Sequence, residues 1–157
     1  MTVPPIRHAT AADAATIAGL CVHMQGWHAA HYPEVFFPNP DPVALATHFA
    51  ARLADPQVTC FLAGTPALGY ALCTRQDRPL SVFSPPVRRL MIDHVAVAPG
   101  ARRQGLGRAL LAAARDLAHE IGADEILLDT WAGNTAAHAF FRALGFAPRR
   151  MLLRATP

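Results

Sequence analysis

The sequence predicts an α/β chain of the α+β kind, a mixed central β-sheet flanked by helices on both faces, in the order β-α-α-β-β-β-α-β-α-β. Three observations carry this expectation. Residues 89–97 (RLMIDHVAV) form a strong strand pattern, followed by a helical pattern and a second strand over 125–130, which implies two parallel neighbours joined by a right-handed crossover. Two β-rich runs, 59–62 and 67–74, flank Gly64-Thr65-Pro66, the signature of an antiparallel hairpin. Apolar residues at helical spacing recur on both sides of the hairpin.

Element by element, Ile6-Arg7-His8-Ala9 is a short strand, and Thr10 with Asp13 three residues on opens a helix. Ile17, Leu20, Cys21 and Met24 share a face of that helix up to about residue 25. Residues 27–42 (WHAAHYPEVFFPNPDP) mix aromatics, prolines and histidines without a period and read as a long loop or a broken helix. Asp41-Pro42 suit an N-cap and first helical position for a second helix over about 43–53. The hairpin follows, then a proline-broken loop and the strand 89–97. A helix beginning near Arg103 carries Leu106, Leu110, Ala113, Leu117 and Ile121 on one face and stops at Gly122. After the strand 125–130 (EILLDT), Asn134 caps a helix bearing Ala137, Phe140, Phe141 and Leu144, which Gly145 ends. Residues 148–155 offer a last strand.

The 157 residues suit one domain over 1–157, large enough for a proper core. With 52% hydrophobic and 16% charged residues, the chain is not disordered. A formal charge of +3 is mild, but Arg88, Arg89, Arg102 and Arg103 crowd together with Arg108 close behind. That suggests an anion site and falls short of a nucleic-acid face. No apolar run has the length of a membrane span, and MTVPPIRHAT lacks the charged-then-apolar pattern of a signal peptide. Cys21, Cys60 and Cys73 are odd in number and lack CxxC spacing, so reduced thiols in a cytoplasmic protein, without a metal role, are expected. His28-x-x-His31 has the spacing of a helical metal pair, but Pro33 and the aperiodic surroundings speak against one.

Between the strand at 89–97 and the next helix lies PGARRQGLGRALL. A helix start leaves backbone N–H groups unpaired, and the positive end of its dipole favours phosphate. Gly105 and Gly107 would let a pyrophosphate approach the backbone, and Arg102, Arg103 and Arg108 add charge and directed donors. Gly107-Arg108-Ala109 is not the GK-Ser/Thr of a Walker A loop. A dinucleotide fingerprint begins at Gly105, with Asp129 at a fitting distance for a ribose acid, but Leu110 replaces its third glycine. A nicotinamide dinucleotide is therefore the second choice of ligand.

Arg102-x-x-Gly105-x-Gly107, preceded by Asp93-His94-Val95-Ala96-Val97-x-Pro99, resembles the acyl-CoA signature of the GNAT superfamily of N-acetyltransferases. Asn134-x-x-Ala137-x-x-Phe140-Phe141 and Gly145-Phe146 resemble that family's C-terminal motif. The likeness covers about residues 89–147 well, the hairpin plausibly, and the first 55 residues in layout only. It implies a GNAT-like fold with an acetyl-CoA-binding core at about 89–147 and acceptor-side helices at about 10–55.

By that resemblance, Val95, Ala96 and Val97 would pair with the pantetheine arm. Backbone N–H groups of Arg103, Gln104, Gly105, Leu106, Gly107 and Arg108, with Arg102 beside them, would hold the pyrophosphate of acetyl-CoA. Asn134 would bond the pantetheine where the strands 89–97 and 125–130 splay. The implied reaction is direct acetyl transfer in a ternary complex to an amine-bearing acceptor, a small molecule or a peptide. The alternative is a non-catalytic acyl-CoA sensor or regulatory domain.

A lysine-like ammonium, pKa ~10.4, must lose a proton before it can attack. Asp93 or Asp129 would take it, each one methylene shorter than glutamate and so acting through a water. His94 and His138 are weaker candidates, and strand alternation would place Asp93 and His94 on opposite faces. The N–H of Val95 would receive the oxyanion. Where the family often has a proton-donating tyrosine, this chain has Phe141, and nothing in the sequence places the hydroxyl of Tyr32 or Tyr70 at the sulfur. Trp27, His28, His31, Tyr32, Phe36 and Phe37 would line the acceptor pocket, with a lid or a homodimer contact as the alternative. Trp131 would touch acceptor, pantetheine or core, and Arg149 and Arg150 would be solvated or reach the coenzyme's outer phosphate.

Overall fold

A computed structural model of the chain describes residues 4–157; Met1, Thr2 and Val3, which begin the N-terminal stretch read above, lie outside the described residues. The elements are β1 (Ile6–His8), a 3-10 turn (Ala11–Asp13), α1 (Ala14–His31), α2 (Pro42–Ala54), β2 (Val58–Ala63), β3 (Gly69–Arg78), β4 (Val87–Val97), a second 3-10 turn (Pro99–Ala101), α3 (Leu106–Glu120), β5 (Glu125–Leu128) and α4 (Thr135–Ala143). The strands form one sheet in the order β1-β2-β3-β4-β5. β1 to β4 pair antiparallel, and β5 lies parallel to β4 after the α3 crossover.

Side chains alternate across the strands, so each face of the sheet builds its own core. On one face Phe61, Ala63, Ala71, Cys73, Leu90 and Ile92 meet Leu106, Leu110, Leu111 and Ala114 of α3, with Phe140 of α4 and Leu144 just after it at the border. On the other, Cys60, Leu62, Tyr70, Leu72 and Ala96 meet Ile17, Leu20 and Cys21 of α1 and Phe49 of α2. The buried stripe of α3 is Leu106, Leu110, Leu111, Ala114 and Ala118, rotated from the expected one, so Ala113, Leu117 and Ile121 fall at its margin.

Three expectations about the extent of the elements change. α1 continues through Trp27 and His28 to His31, because Ala29 is buried and Ala30 sustains the helix. Pro33 then forces Tyr32 out of helical geometry (φ −137°). α3 starts at Leu106 rather than near Arg103, which leaves residues 102–105 as a loop. The last strand, 148–155, does not form. Pro148 has no N–H to give, Met151, Leu152 and Leu153 are exposed, and the segment is tied to the rest by the ion pairs Arg149–Glu125 and Arg154–Glu34.

The pairing of β3 with β4 slips by one residue: Leu72 faces His94 and Cys73 faces Ile92, so Asp93 is the extra residue of a β-bulge. Its carboxylate Oδ2 accepts from Nη2 of Arg52 on α2 (2.7 Å) and from the hydroxyl of Thr74 on β3. The same Nη2 lies 2.7 Å from Thr74 Oγ1. His94 also turns toward α2, with its ring 5.8 Å from Phe49. Asp93 and His94 therefore share one face of the sheet, contrary to strict alternation.

Asp93→Asn should lower stability by about 1–2 kcal/mol, because a charge-assisted bond is lost at a partly exposed site. For a chain of this size that is a fall of ~3–6 °C in Tm. Asp129→Asn, whose carboxylate has no partner among the described residues, should move Tm by less than about 2 °C. Thermal unfolding of the two variants checks the difference.

Candidate active site

The pairing of β4 with β5 ends at Ile92 and Leu128, immediately before the bulge. β4 runs on to Val97, with Val95, Ala96 and Val97 paired only to Ala71, Tyr70 and Gly69 of β3. Its other edge is bare there, and Asp129, exposed, stands on the chain leaving β5 across the opening. The two strands splay where the sequence places Asp93, Asn134 and Asp129 around them.

β4 leads into the turn Pro99–Ala101 and then the arginine loop. Gln104 Nε2 donates to Gly100 O (3.2 Å), and Arg102 Nε lies 3.4 Å from Val97 O. Arg103 (φ +62°) and Gly105 (φ +85°) are both left-handed, a pattern that turns successive N–H groups to one side. The N–H of Arg102 bonds Pro99 O and that of Ala109 bonds Gly105 O. Between them the N–H groups of Arg103, Gln104, Gly105, Leu106, Gly107 and Arg108 meet no acceptor among the described residues. Six free donors at the positive end of a fifteen-residue helix make a strong anion cradle.

The two glycines differ in their reasons. At Gly105 a Cβ would enter open space, and the backbone angle is what requires glycine. At Gly107 a Cβ would lie 3.1 Å from the Phe140 ring, so this glycine also lets α4 pack on α3. The arginine cluster of the sequence also divides. Arg88 bonds Asp77 (3.0 Å) and Ile121 O (2.9 Å), Arg89 bonds Glu125 (2.6 Å), and only Arg102, Arg103 and Arg108 stay exposed at the loop.

On the α1/α2 side of the opening, His94 Nδ1 lies 3.0 Å from the Tyr70 hydroxyl. Tyr70 is fully buried, and the hydroxyl's other neighbour is the thiol of Cys21, also buried. Burial pushes the Tyr70 phenol well up, so it stays protonated, and raises Cys21 as well. Burial lowers His94 to about 4, helped by the positive charge of Arg52 and by His48 and His28 and opposed by Asp93. Among the described residues its Nε2 has no partner and is not sealed from solvent, whereas Arg52 Nε is buried without one.

The C-terminal end of α1 carries an aromatic cluster that reaches the loop after β5. Trp27 stacks on His31 (4.0 Å), His28 on Phe36 (4.8 Å), and Trp131 packs against Tyr32 (4.3 Å) and Phe36 (5.3 Å). His28 is lowered by burial and by His31. His28 and His31 each serve this cluster, while Phe37 is exposed outside it. Gly133 N donates to the Tyr32 hydroxyl (3.0 Å), and a Cβ at Gly133 would lie 2.9 Å from that oxygen. Asn134 Oδ1 caps α4 by accepting from Ala137 N (3.1 Å), which leaves its Nδ2 free, and His138 Nε2 lies 3.1 Å from Trp131 O. Phe141 packs between Phe140 and Phe146. Arg149 pairs with Glu125, and Arg150 is exposed.

Sequence reasoning missed Arg52 and Thr74 as partners of Asp93, and Tyr70 as the partner of His94. Only strand register brings these residues together. A shallow hollow of about 300 Å³ among Arg115, His119, Glu125 and Phe146 lies at the far end of β5 from Asp129. Among the described residues no group of three acidic, histidine or cysteine side chains is placed to hold a metal, and no helix is long and apolar enough to cross a membrane.

The model of the acetyltransferase (GNAT) family matches residues 21–146. A crystal structure of a candidate acetyltransferase from Arthrobacter sp. FB24 is 32% identical over 100% of this chain and 96% of that one, with a TM-score of 0.71. The aminoglycoside N-acetyltransferase AAC(6')-Iy, solved in complex with CoA, shares the fold at a TM-score of 0.77 and 18% identity, over 98% of this chain and 94% of that one. Streptothricin acetyltransferase of Streptomyces lavendulae is 42% identical over 60 residues, 38% of this chain and 32% of that enzyme, so the match spans about a third of that relative's length.

The lowered His94 predicts a pH-dependent stability. Between its unfolded value of about 6.5 and its folded value of about 4, the unfolded chain binds a proton that the folded chain refuses. Stability from this source is full above about 6.5, falls as pH drops toward 4, and is flat below. In His94→Gln, denaturant unfolding should therefore show a shallower loss over that window than in the wild type. Equal slopes would mean that His94 is not held neutral.

Proposed function

The chain belongs to the GNAT family of acetyltransferases, and from that premise we propose that it transfers an acetyl group from acetyl-CoA to a primary amine of a small molecule or peptide, with both substrates bound at once. The observation that carries this reading is the run of six free N–H groups from Arg103 to Arg108, at the end of a strand whose edge is bare. The cradle suits a pyrophosphate, and the edge of Val95, Ala96 and Val97 suits an extended amide-bearing arm added like a strand. The CoA bound to the distant AAC(6')-Iy neighbour supports the same ligand.

In this reading the backbone donors of Arg103, Gln104, Gly105, Leu106, Gly107 and Arg108 hold the pyrophosphate, with the guanidinium groups of Arg102, Arg103 and Arg108 adding charge. Asn134 offers its free Nδ2 to the pantetheine. Acetyl-CoA supplies an activated thioester, and the N–H of Val95 faces its carbonyl oxygen as negative charge builds there. The acceptor lies against Trp27, His28, Tyr32, Phe36 and Trp131, whose ring faces attract an ammonium. Asp129, with no competing partner among the described residues, takes the amine proton through a water. Asp93 keeps its Oδ2 on Arg52 and Thr74 and holds the bulge in shape. Three buried, reduced thiols fit a cytoplasmic setting.

Phe141 favours one second reading. Packed between two phenylalanines and without a proton to give, it suits a domain that binds an acyl-CoA and signals its presence. Calorimetry with acetyl-CoA, CoA and NAD, followed by thiol release over polyamines, aminoglycosides, amino acids and peptides, decides between the readings. We expect CoA to bind and NAD not to, and replacement of Arg102, Arg103 and Arg108 by alanine to weaken CoA about 10-fold or more, most at low salt. Asp129→Asn should lower kcat ~10²-fold and remove the acid limb of the pH profile. Binding of CoA with no transfer to any amine favours the sensor; binding of NAD without CoA overturns both.

A further inference from the structure

We propose that His94 is a neutral hydrogen-bond donor to the thioester oxygen, its Nε2–H presented to the opening and its tautomer set by Tyr70. This rests on the acyl-transfer reading above and supplies electrophilic help at a site whose helix α4 carries Phe141 in place of a tyrosine. Four observations converge on it. The bulge turns His94 to the acceptor-side face while leaving it next to Val95, the residue whose N–H faces the same oxygen in that reading. Nδ1 is taken by a hydroxyl, and Nε2 has no partner among the described residues yet is not sealed from solvent. The ring is braced edge-on by Phe49 and Tyr70.

The tautomer follows from the donors available. The Tyr70 hydroxyl has one proton and two neighbours, an imidazole nitrogen and a thiol sulfur. Sulfur is a weak acceptor and a neutral imidazole nitrogen a good one, so the phenol donates to Nδ1 of His94. Nδ1 is then the acceptor and Nε2 carries the hydrogen. The groups facing this ring are Asp93 on its own strand, Arg52 and His48 on α2, His28 on α1 and Tyr70 on β3. Burial, Arg52 and the two histidines keep a second proton off it. A ring held neutral offers a fixed dipole where charge develops and needs no reorganisation.

The step balances without a proton change on His94. The acceptor ammonium first gives one proton through water to Asp129 and on to solvent; the freed lone pair then forms the C–N bond, and the carbonyl π pair moves to oxygen, where Val95 N–H and His94 Nε2–H receive it. As the π bond re-forms, the C–S pair leaves on sulfur. The second proton shed by nitrogen passes through water to Asp129 and on to the thiolate, giving amide and thiol.

The test combines kinetics with nitrogen NMR on the full chain. In the wild type, ¹⁵N shifts should show His94 with Nε2 protonated and Nδ1 bare, and Tyr70→Phe should mix the tautomers. With whichever amine the panel identifies, His94→Ala should lose ~10²-fold in kcat at every pH tested, with unchanged limbs and unchanged KM for acetyl-CoA. His94→Gln, whose side-chain amide brings an N–H to the same place, should recover much of that loss. An Nδ1-protonated ring, an acid limb lost in His94→Ala, or equal loss in the alanine and glutamine variants would overturn the donor role. Absence of transfer by the wild type to any amine would instead overturn the transferase reading, and this inference with it.

Discussion

One extra residue in β4 sets the rest of the site. Without the bulge at Asp93, alternation would carry His94 and Ala96 to the α3 face and Val95 to the α1/α2 face. With it, Val95 packs toward α3 and Ala96 joins Tyr70 and Leu72 beneath α1 and α2. A one-residue slip exchanges faces for everything downstream, so the register must be pinned. The pin is the Asp93 carboxylate, bound at once to Thr74 on the neighbouring strand and to Arg52 on the covering helix. The same irregularity lies where β5 stops following β4, and so the bare strand edge begins at the bulge.

From that point the geometry passes outward through packing. β4 delivers the chain to the loop at the start of α3, where two left-handed residues and a helix N-terminus leave six donors free. Gly107 lets the Phe140 ring come close, which fixes α4 against α3. The N-cap of α4 is Asn134, and the residue before it is held by Tyr32 at the end of α1. The cradle, the amide on the far side of the opening and the aromatic cluster are thus linked through two close approaches at glycine. Each of those glycines is a packing constraint.

Much of this architecture was legible in the sequence, because hydrophobic period and turn chemistry are local. The hairpin, the α3 crossover, the Asp41 and Asn134 caps and the donor-rich loop all announce themselves within a few residues. The bulge did not, since it depends on Arg52 and Thr74, forty-one and nineteen positions away in the chain. The end of α1 was hidden for another reason: Trp27, His28 and His31 are poor helix formers that look aperiodic until Trp131 and Phe36 supply the surface they pack on. At Gly107 the sequence pointed to the residue but not to its neighbour Phe140, which only the packing of α4 brings there. The segment 148–155 has the β-rich composition of a strand, but composition does not supply a partner.

The distribution of charge around the opening gives the two faces different work. Arg52, His48 and His28 surround the bulge and oppose any added proton on His94, while Asp93 is already satisfied. Asp129, on the chain leaving β5 opposite, has no partner among the described residues, and Trp131 two residues beyond it lies inside the aromatic cluster. In the proposed reading, negative charge and ring faces would draw an ammonium to the β5 side, while neutral N–H groups gather on the β4 side. On the proposed reading the polarity of the opening would run from amine recognition on one side to oxyanion stabilisation on the other. A reacting carbonyl laid between them would meet its nucleophile from one direction and its hydrogen bonds from the other.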